Sequence, residues 1–346
     1  MRPTAALLAM LALAGLAALG PGRISGPHAQ ESAGAGGGGV LAASDGAADA
    51  DLAATWDRAQ VYLRYEDEDL NLRIIGGALG APYIQAFLAQ DAGDPQPVVI
   101  HLHGCQRSDD LADVRNQGRA LAEMGFIVVV PNSFARADRP ETCDPLRLQR
   151  IENAPFAQVQ RWRIEELAYA LKRVLAAPWA DKRKIFAGGF DEGGDAVLAF
   201  ADPALAGRFA IGAPCRFAPT AAAPRLPTLV ILSRNDLWFD GEHEAQAQGR
   251  CRRLLRGQSN VGFFEPEGVL HDALIYEEAR IALWNFLVRA SFLRASLDKG
   301  PGRPAGILSV SRAGLSAGPV PSRPYATIMT ASPLRERRCR SSSARS

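Results

Sequence analysis

The sequence predicts an α/β protein built on a mainly parallel sheet with helices on both faces. Three observations carry this. From Pro97 onward, short apolar runs alternate with segments of helical periodicity. The apolar runs are rich in Val and Ile and lack polar alternation, as strands covered on both faces do. Sharp turn signals close several of them, including Pro131 after Val130 and the glycines of "GGFDEGG", Gly188 to Gly194.

The elements follow in order. Gln60 to Arg64 and Leu70 to Ile75 read as strands that could form an antiparallel edge. Val98, Val99, Ile100 and Leu102 form a buried strand, Leu111 to Met124 an amphipathic helix, and Phe126 to Val130 the next strand. A loop from Asn132 to about Pro155 is too long to be structureless unless it is functional or tied down. Cys143 lies within it, and a bridge to Cys105 would tie it down. Helix Phe156 to Leu175, strand Lys184 to Ala187, helix Glu192 to Phe200, and strands Arg208 to Ile211 and Thr228 to Leu232 continue the series. Helix Glu244 to Leu255, strand Val261 to Phe264 and a helix from Ala273 to about Leu293 complete it. The alternating region therefore sits within a single domain, taken as residues 57–296, an ordinary size for an α/β fold.

The flanks differ in composition. Arg2 followed by the apolar stretch Ala5 to Leu19 and then small residues reads as a secretory signal peptide over residues 1–30, with cleavage expected near Ala29 or Leu19. The run is short and Ala-rich for a membrane span, so no stable membrane insertion is expected after cleavage; an uncleaved anchor is the alternative. Residues 31–56, rich in Gly, Ala, Ser and Asp, read as a flexible segment. The formal charge of +2 conceals an asymmetry: residues 299–346 hold nine Lys or Arg and one acidic residue, leaving the remainder with 30 basic against 36 acidic, a net of −6. The tail from 297 to 346 has no periodicity and reads as disordered and basic. Export to the periplasm or the outside implies an oxidising compartment, where Cys105, Cys143, Cys215 and Cys251 can form two disulfides, with Cys339 left over.

Chemistry concentrates at the turn "GGFDEGG". In a G-x-S-x-G elbow the flanking small residues let strand and helix approach while the nucleophile takes a strained positive φ. Gly189 and Gly193 occupy those flanks, but Asp191 stands at the centre. An elbow nucleophile is followed by an acid after a later strand and a histidine after the last one. Asp236 follows the strand ending at Leu232, and His271 the strand ending at Phe264. Both fall at strand C-terminal ends, where open α/β sheets place their sites. The turn "HLHGC", His101 to Cys105, would supply an oxyanion-binding amide from Cys105 or Gln106, together with that of Glu192.

Taken together, Gly104, the elbow at Asp191, Asp236 and His271 resemble the dienelactone hydrolase-like group of the α/β-hydrolase superfamily over about Pro97 to Leu293. The "HGC" turn with a second cysteine is also similar to secreted feruloyl-esterase and polyhydroxyalkanoate-depolymerase relatives. The resemblance implies an α/β-hydrolase fold, no cofactor, and an ester- or lactone-hydrolase-type site, with Asp replacing the Ser or Cys nucleophile. Pairing of Cys105 with Cys143 and of Cys215 with Cys251 is expected.

An aspartate is ionised at neutral pH and needs no base, but its attack on an ester would give a mixed anhydride, uphill from the substrate. Attack on a carbon bearing halide or epoxide oxygen would give an ordinary ester, as in Asp-using haloalkane dehalogenases and epoxide hydrolases. That chemistry needs a leaving-group donor; Tyr169 and Trp238 are candidates, whereas the elbow neighbour Glu192 is a poor halide partner. In the bland reading Asp191 is the N-cap of the following helix and the fold is an inactive scaffold. The expected ligand is accordingly a small ester-like or apolar molecule, bound for turnover or simply held. His101 and His103 alternate on one strand without a third ligand, so no metal site is assigned. Arg161 and Arg163 could bind an anion, but pairing with Glu165 and Glu166 along the helix accounts for them better. No dinucleotide-binding or P-loop turn is present, and no nucleic-acid partner is expected.

Overall fold

In this computed structural model the described residues are 50–66, 69, 71–106, 112–144, 149–151, 153–217, 226–239 and 250–297. The expected signal peptide, the N-terminal segment through residue 49 and the basic tail from 298 lie outside them. Residues 50–57 are helical, although 50–56 were counted in the sequence reading as part of the flexible segment, and Thr55 and Trp56 are buried against the domain.

Eight strands form one sheet: β1 (Gln60–Glu66), β2 (Leu72–Ala78), β3 (Gln96–Leu102), β4 (Ile127–Val130), β7 (Ala180–Phe190), β8 (Gly207–Ile211), β9 (Thr228–Ile231) and β10 (Val261–Phe264). A separate hairpin pairs β5 (Cys143–Asp144) with β6 (Gln149–Arg150). The order is β10-β9-β8-β7-β3-β4-β1-β2. From β10 to β4 every pair is parallel; β1 runs antiparallel to both β4 and β2. This is an α/β-hydrolase fold: a mainly parallel sheet with the antiparallel edge that the first two apolar runs led us to expect.

Strand alternation distributes the core over two faces. On one, Val98, Ile100 and Leu102 of β3 pack with Ile185 and Ala187 of β7 against α1 (Pro82–Gln90), α3 (Phe156–Ala176) and α4 (Glu192–Ala199). On the other, Val99, Phe186 and Phe209 meet α2 (Ala112–Glu123) and α6 (Glu277–Leu297). A smaller cluster around Cys215, Val230 and Cys251 joins β8 and β9 to α5 (Arg250–Leu254). Of the helix expected over Glu244 to Leu255, only α5 falls among the described residues.

Several elements differ from the sequence reading. Helix α1 was not anticipated, although Pro82 in its first turn is a start signal. Strand β7 spans 11 residues because Ala180 to Lys184, too charged to read as strand, extend it to pair with Gln96 across a register shift in β3. The last helix starts at Glu277, after a 3₁₀ turn over Ala273–Ile275 that Asp272 caps by accepting from the Leu274 amide. The long loop after Asn132 contains a 3₁₀ turn, Ser133–Ala135, as well as the β5–β6 hairpin.

The chain leaves β3 toward β4 on one side of the sheet, while β7 lies on the other, so the sheet's topological switch falls between β3 and β7. Their C-terminal ends carry the "HGC" turn and the elbow. This is where such sheets open a crevice.

Candidate active site

The elbow forms as the glycine spacing requires. Asp191 has φ 49° and ψ −115°, a conformation costly for a non-glycine residue and typical of functional turns. A Cβ on Gly189 would lie 2.3 Å from the Gly193 carbonyl oxygen, and one on Gly193 would lie 2.3 Å from that of Leu102. Both positions exclude any side chain, because the atoms met are backbone.

Asp191 stands at the N-cap position of α4, as the N-cap reading has it, but its side chain makes no capping hydrogen bond there. The carboxylate reaches into the "HGC" turn instead, where Oδ2 accepts from the Cys105 amide at 3.3 Å. Gln106 lines the adjoining cavity. Arg150, from β6, pairs with Asp191 Oδ1 in a contact buried on both sides. Burial works to raise the Asp191 carboxyl, but Arg150, His271 and the Glu192 amide overcome it and hold it well below the usual carboxylate range.

The other two residues of the expected triad come from the ends of β9 and β10. Asp236 Oδ1 accepts from the Trp238 amide at 2.9 Å, and its Oδ2 is 2.7 Å from His271 Nδ1. His271 Nε2 lies 3.7 Å from Asp191 Oδ1. The imidazole stacks on Trp238, with centroids 5.0 Å apart and planes 16° apart, and also touches Phe190 and Phe239. Burial works to lower its pKa, but the carboxylates of Asp191 and Asp236 outweigh burial and push it up to about 9. At neutral pH the site therefore holds an imidazolium between two carboxylates.

Behind the elbow lies a buried polar network that sequence reasoning missed, apart from the Arg163 pairing. The Glu192 side chain turns away from the cavity to bond Arg139 and Thr142. Arg139 Nε donates to Ser133 Oγ at 2.7 Å, and Ser133 Oγ in turn donates to Glu166 Oε1 at 2.8 Å. Arg163 is fully buried and pairs with Glu166 at 2.9 Å, so it stabilises the interior rather than facing a ligand; Arg161 is exposed. Arg163 Nη2 also donates to the His103 carbonyl at 2.7 Å, bracing the "HGC" turn.

His101 and His103 are likewise committed. His101 Nε2 is 2.7 Å from Gln117 Oε1, and burial lowers its pKa to about 4. His103 Nδ1 donates to the Gly104 carbonyl at 2.7 Å, and its Nε2 accepts from the Ser133 amide. Among the described residues no group of three His, Cys, Asp or Glu could hold a metal ion.

Disulfides join Cys105 to Cys143 and Cys215 to Cys251. The first is placed to matter. Cys105 gives its amide to Asp191 Oδ2, while Cys143 stands opposite Arg150 in the β5–β6 register. One covalent bond therefore ties together both groups that hold the Asp191 carboxylate. Arg150 itself carries no periodic signal in the sequence; its only advance marker was a long loop that had to be tied down.

Next to the elbow lies a cavity of about 320 Å³, lined among others by Val114, Phe190, Trp238, Leu270 and Ile275. Trp238 thus reaches the site, with its Nε1 buried and without a hydrogen-bond partner. Tyr169 packs instead against the core on the α3 face.

Fold and site together define an α/β-hydrolase-fold protein whose elbow carries aspartate. No protein-family model matches the chain, and no curated protein does. Solved structures similar to it include the esterase domain of a Rhodothermus marinus protein, at 17% identity over 68% of this chain and 98% of that one, TM-score 0.35. A dienelactone hydrolase-like promiscuous phosphotriesterase from metagenomic libraries shares 15% identity over 67% and 99%, TM-score 0.43. A ferulic acid esterase from the anaerobic fungus Anaeromyces mucronatus shares 15% over 65% and 88%, TM-score 0.39. The fold assignment rests on the sheet order and the elbow rather than on these values.

Proposed function

We propose that this chain carries an ester- or lactone-hydrolase-type site that Asp191 has closed to acyl transfer, and that the adjoining cavity holds a small ligand without hydrolysing it. One observation carries the reading: the Asp191 carboxylate occupies the place of both nucleophile and oxyanion. Acyl transfer needs a hydroxyl or thiol that can give its proton to histidine, and free amide donors for the oxygen that becomes negative. Here Oδ2 already takes the Cys105 amide, Oδ1 is paired with Arg150, and His271 is an acid rather than a base. The two disulfides support an oxidising compartment, in keeping with an exported protein.

The test is turnover of p-nitrophenyl acetate by wild type, Asp191→Ser, and Asp191→Ser with His271→Ala. The expected result is no turnover by wild type, turnover by Asp191→Ser, and its loss in the double variant. Turnover by wild type that Asp191→Ser does not improve would overturn the reading.

A second reading is favoured by the same hydrogen bond together with Trp238. With Oδ2 anchored, Oδ1 is the oxygen free of the amide, and Trp238, on the cavity wall with its Nε1 unpartnered, would be the leaving-group donor once that N–H turns toward the cavity. Attack on a carbon–halogen bond would form an alkyl ester at Asp191 and release halide. Esterification would remove one of the two carboxylates that keep His271 protonated, so the imidazole could then activate water. The readings separate by mass: wild type and His271→Ala are incubated with 1-bromobutane. An added butyl group that persists in His271→Ala would establish alkylation, and an unchanged mass in both supports the closed site.

A further inference from the structure

We propose that the outer side of α6 is a dimer interface, on which the same helix of a second copy lies antiparallel about a two-fold axis at Trp284.

Helix α6 is apolar on two opposite sides. Ala279, Leu283, Leu287 and Ala290 are buried against the sheet. Ile281, Trp284, Val288 and Phe292 recur at three- and four-residue spacing, which sets them in one line on the other side of the helix. Ile281 is 53%, Trp284 47% and Phe292 70% exposed, and Val288 is half-buried. A helix that only had to cover the sheet would carry polar residues there. Apolar side chains in an unbroken line, unlike single exposed ones, mark an interaction surface.

The charges beside this stripe select its partner. Glu278 and Arg289 are both exposed and stand on the same flank of it, about 16 Å apart along the helix axis. They are too distant to pair with each other, and neither takes part in a salt bridge among the described residues. A second copy turned end for end keeps each flank on its own side, so Glu278 of one helix comes level with Arg289 of the other. By symmetry that pair forms twice. The two-fold axis then falls midway between the two positions, at Leu283 and Trp284. There the Trp284 side chains of the two copies meet, and Ile281 of each copy faces Trp284 and Val288 of the other. Stripe and charges thus agree on one arrangement, which is the self-complementarity an isologous contact demands. The end-for-end placement also opposes the two helix dipoles. A single helix pair is a small contact, so self-association in the micromolar range is expected.

The experiment is sedimentation velocity of the full-length chain across the micromolar range. Wild type should move from the mass of one chain to that of two as concentration rises. Trp284→Glu and, separately, Ile281→Glu should weaken dimerisation at least about thirtyfold, with circular dichroism showing that each variant keeps its fold. Glu278→Arg and Arg289→Glu should each weaken it about tenfold, because each reverses two contacts at once. The variant with both changes should dimerise as wild type does. Lys172→Glu, a charge reversal at an exposed position of α3, should have no effect. A wild-type chain that stays monomeric would overturn the inference. If it then dimerised on removal of residues 298–346, the tail would be the occupant of the stripe; if it bound phosphatidylcholine vesicles, lipid would be. Dimers that survive Trp284→Glu would place the interface elsewhere and overturn it as well. Weakening by Glu278→Arg without weakening by Arg289→Glu would mean a parallel pairing that sets Glu278 against Arg280. That result, or a double variant as weak as the single ones, would overturn the antiparallel arrangement.

Discussion

Raising the pH should destabilise this protein in a window set by His271. Its pKa stands at about 9 in the folded chain against an ordinary value of 6.5. A raised histidine pKa gives stability that is fully present below the unfolded value and is lost as pH rises through the folded one. The gap corresponds to about 3 kcal/mol in all, of which about 2 kcal/mol falls between about pH 7.5 and about pH 9.5. Two other buried groups, Asp195 at about 7 and Asp272 at about 6, are carboxyls with raised pKa. Their contribution also falls with pH, but mostly below this window, so the window isolates the imidazole. The assay is urea unfolding at about pH 7.5 and about pH 9.5, with the His271 ring titration followed by NMR. In Asp236→Asn, which removes one of the two carboxylates, the fall across the window should shrink by about half. An unfolding free energy constant to within about 0.5 kcal/mol across the window, or a His271 that titrates at or below its ordinary value, would refute the imidazolium bridge.

Two further outcomes follow from the clamp on Asp191. Replacing Cys105 and Cys143 together by Ser opens a loop of sequence separation 38 and should cost about 4 kcal/mol by loop entropy; a loss below about 1 kcal/mol in urea unfolding would mean that the noncovalent network alone fixes the loop. Arg150→Met should destabilise by about 3–5 kcal/mol, because it strands a buried carboxylate. Adding Asp191→Asn should recover much of that loss, and a double-mutant cycle that shows no coupling would exclude the pair as the reason for Arg150.

Much of the fold was legible because its strands are buried on both sides. β3, β4 and β9 read as continuous Val- and Ile-rich runs, and nothing else in the chain does. The antiparallel edge of β1 and β2 was legible for a different reason, as two short apolar runs with polar residues between them, on strands that are only partly buried. What failed to read was charged or short. Ala180 to Lys184 belong to β7 although their side chains are largely polar, and α1 has only nine residues. Asp191, Asp236 and His271 could be placed because each follows a strand, and chain order fixed their roles. Arg150, Arg139 and Thr142 could not, because they reach the site from a segment whose path is set by a disulfide and a two-residue hairpin rather than by hydrophobic period.

The pairing of Asp191 with Arg150 also bears on how the site responds to substitution. A serine hydroxyl at position 191 would leave the Cys105 amide free and give His271 a proton donor to face. It would also remove one carboxylate that holds the imidazole protonated and leave the Arg150 guanidinium nearby without the Asp191 carboxylate. Both changes lower the His271 pKa, toward the range in which a neutral imidazole acts as a base. The same substitution therefore opens the oxyanion position and restores the base. Arg150 is the residue that ties these effects together: in the natural protein it holds the carboxylate in place, and beside a serine it would favour neutral histidine. Activity gained by Asp191→Ser should accordingly persist at lower pH than it does in Asp191→Ser with Arg150→Met, in which His271 keeps Asp236 but loses the opposing positive charge. A pH–rate profile that is the same in the two variants would show that Arg150 acts on Asp191 alone.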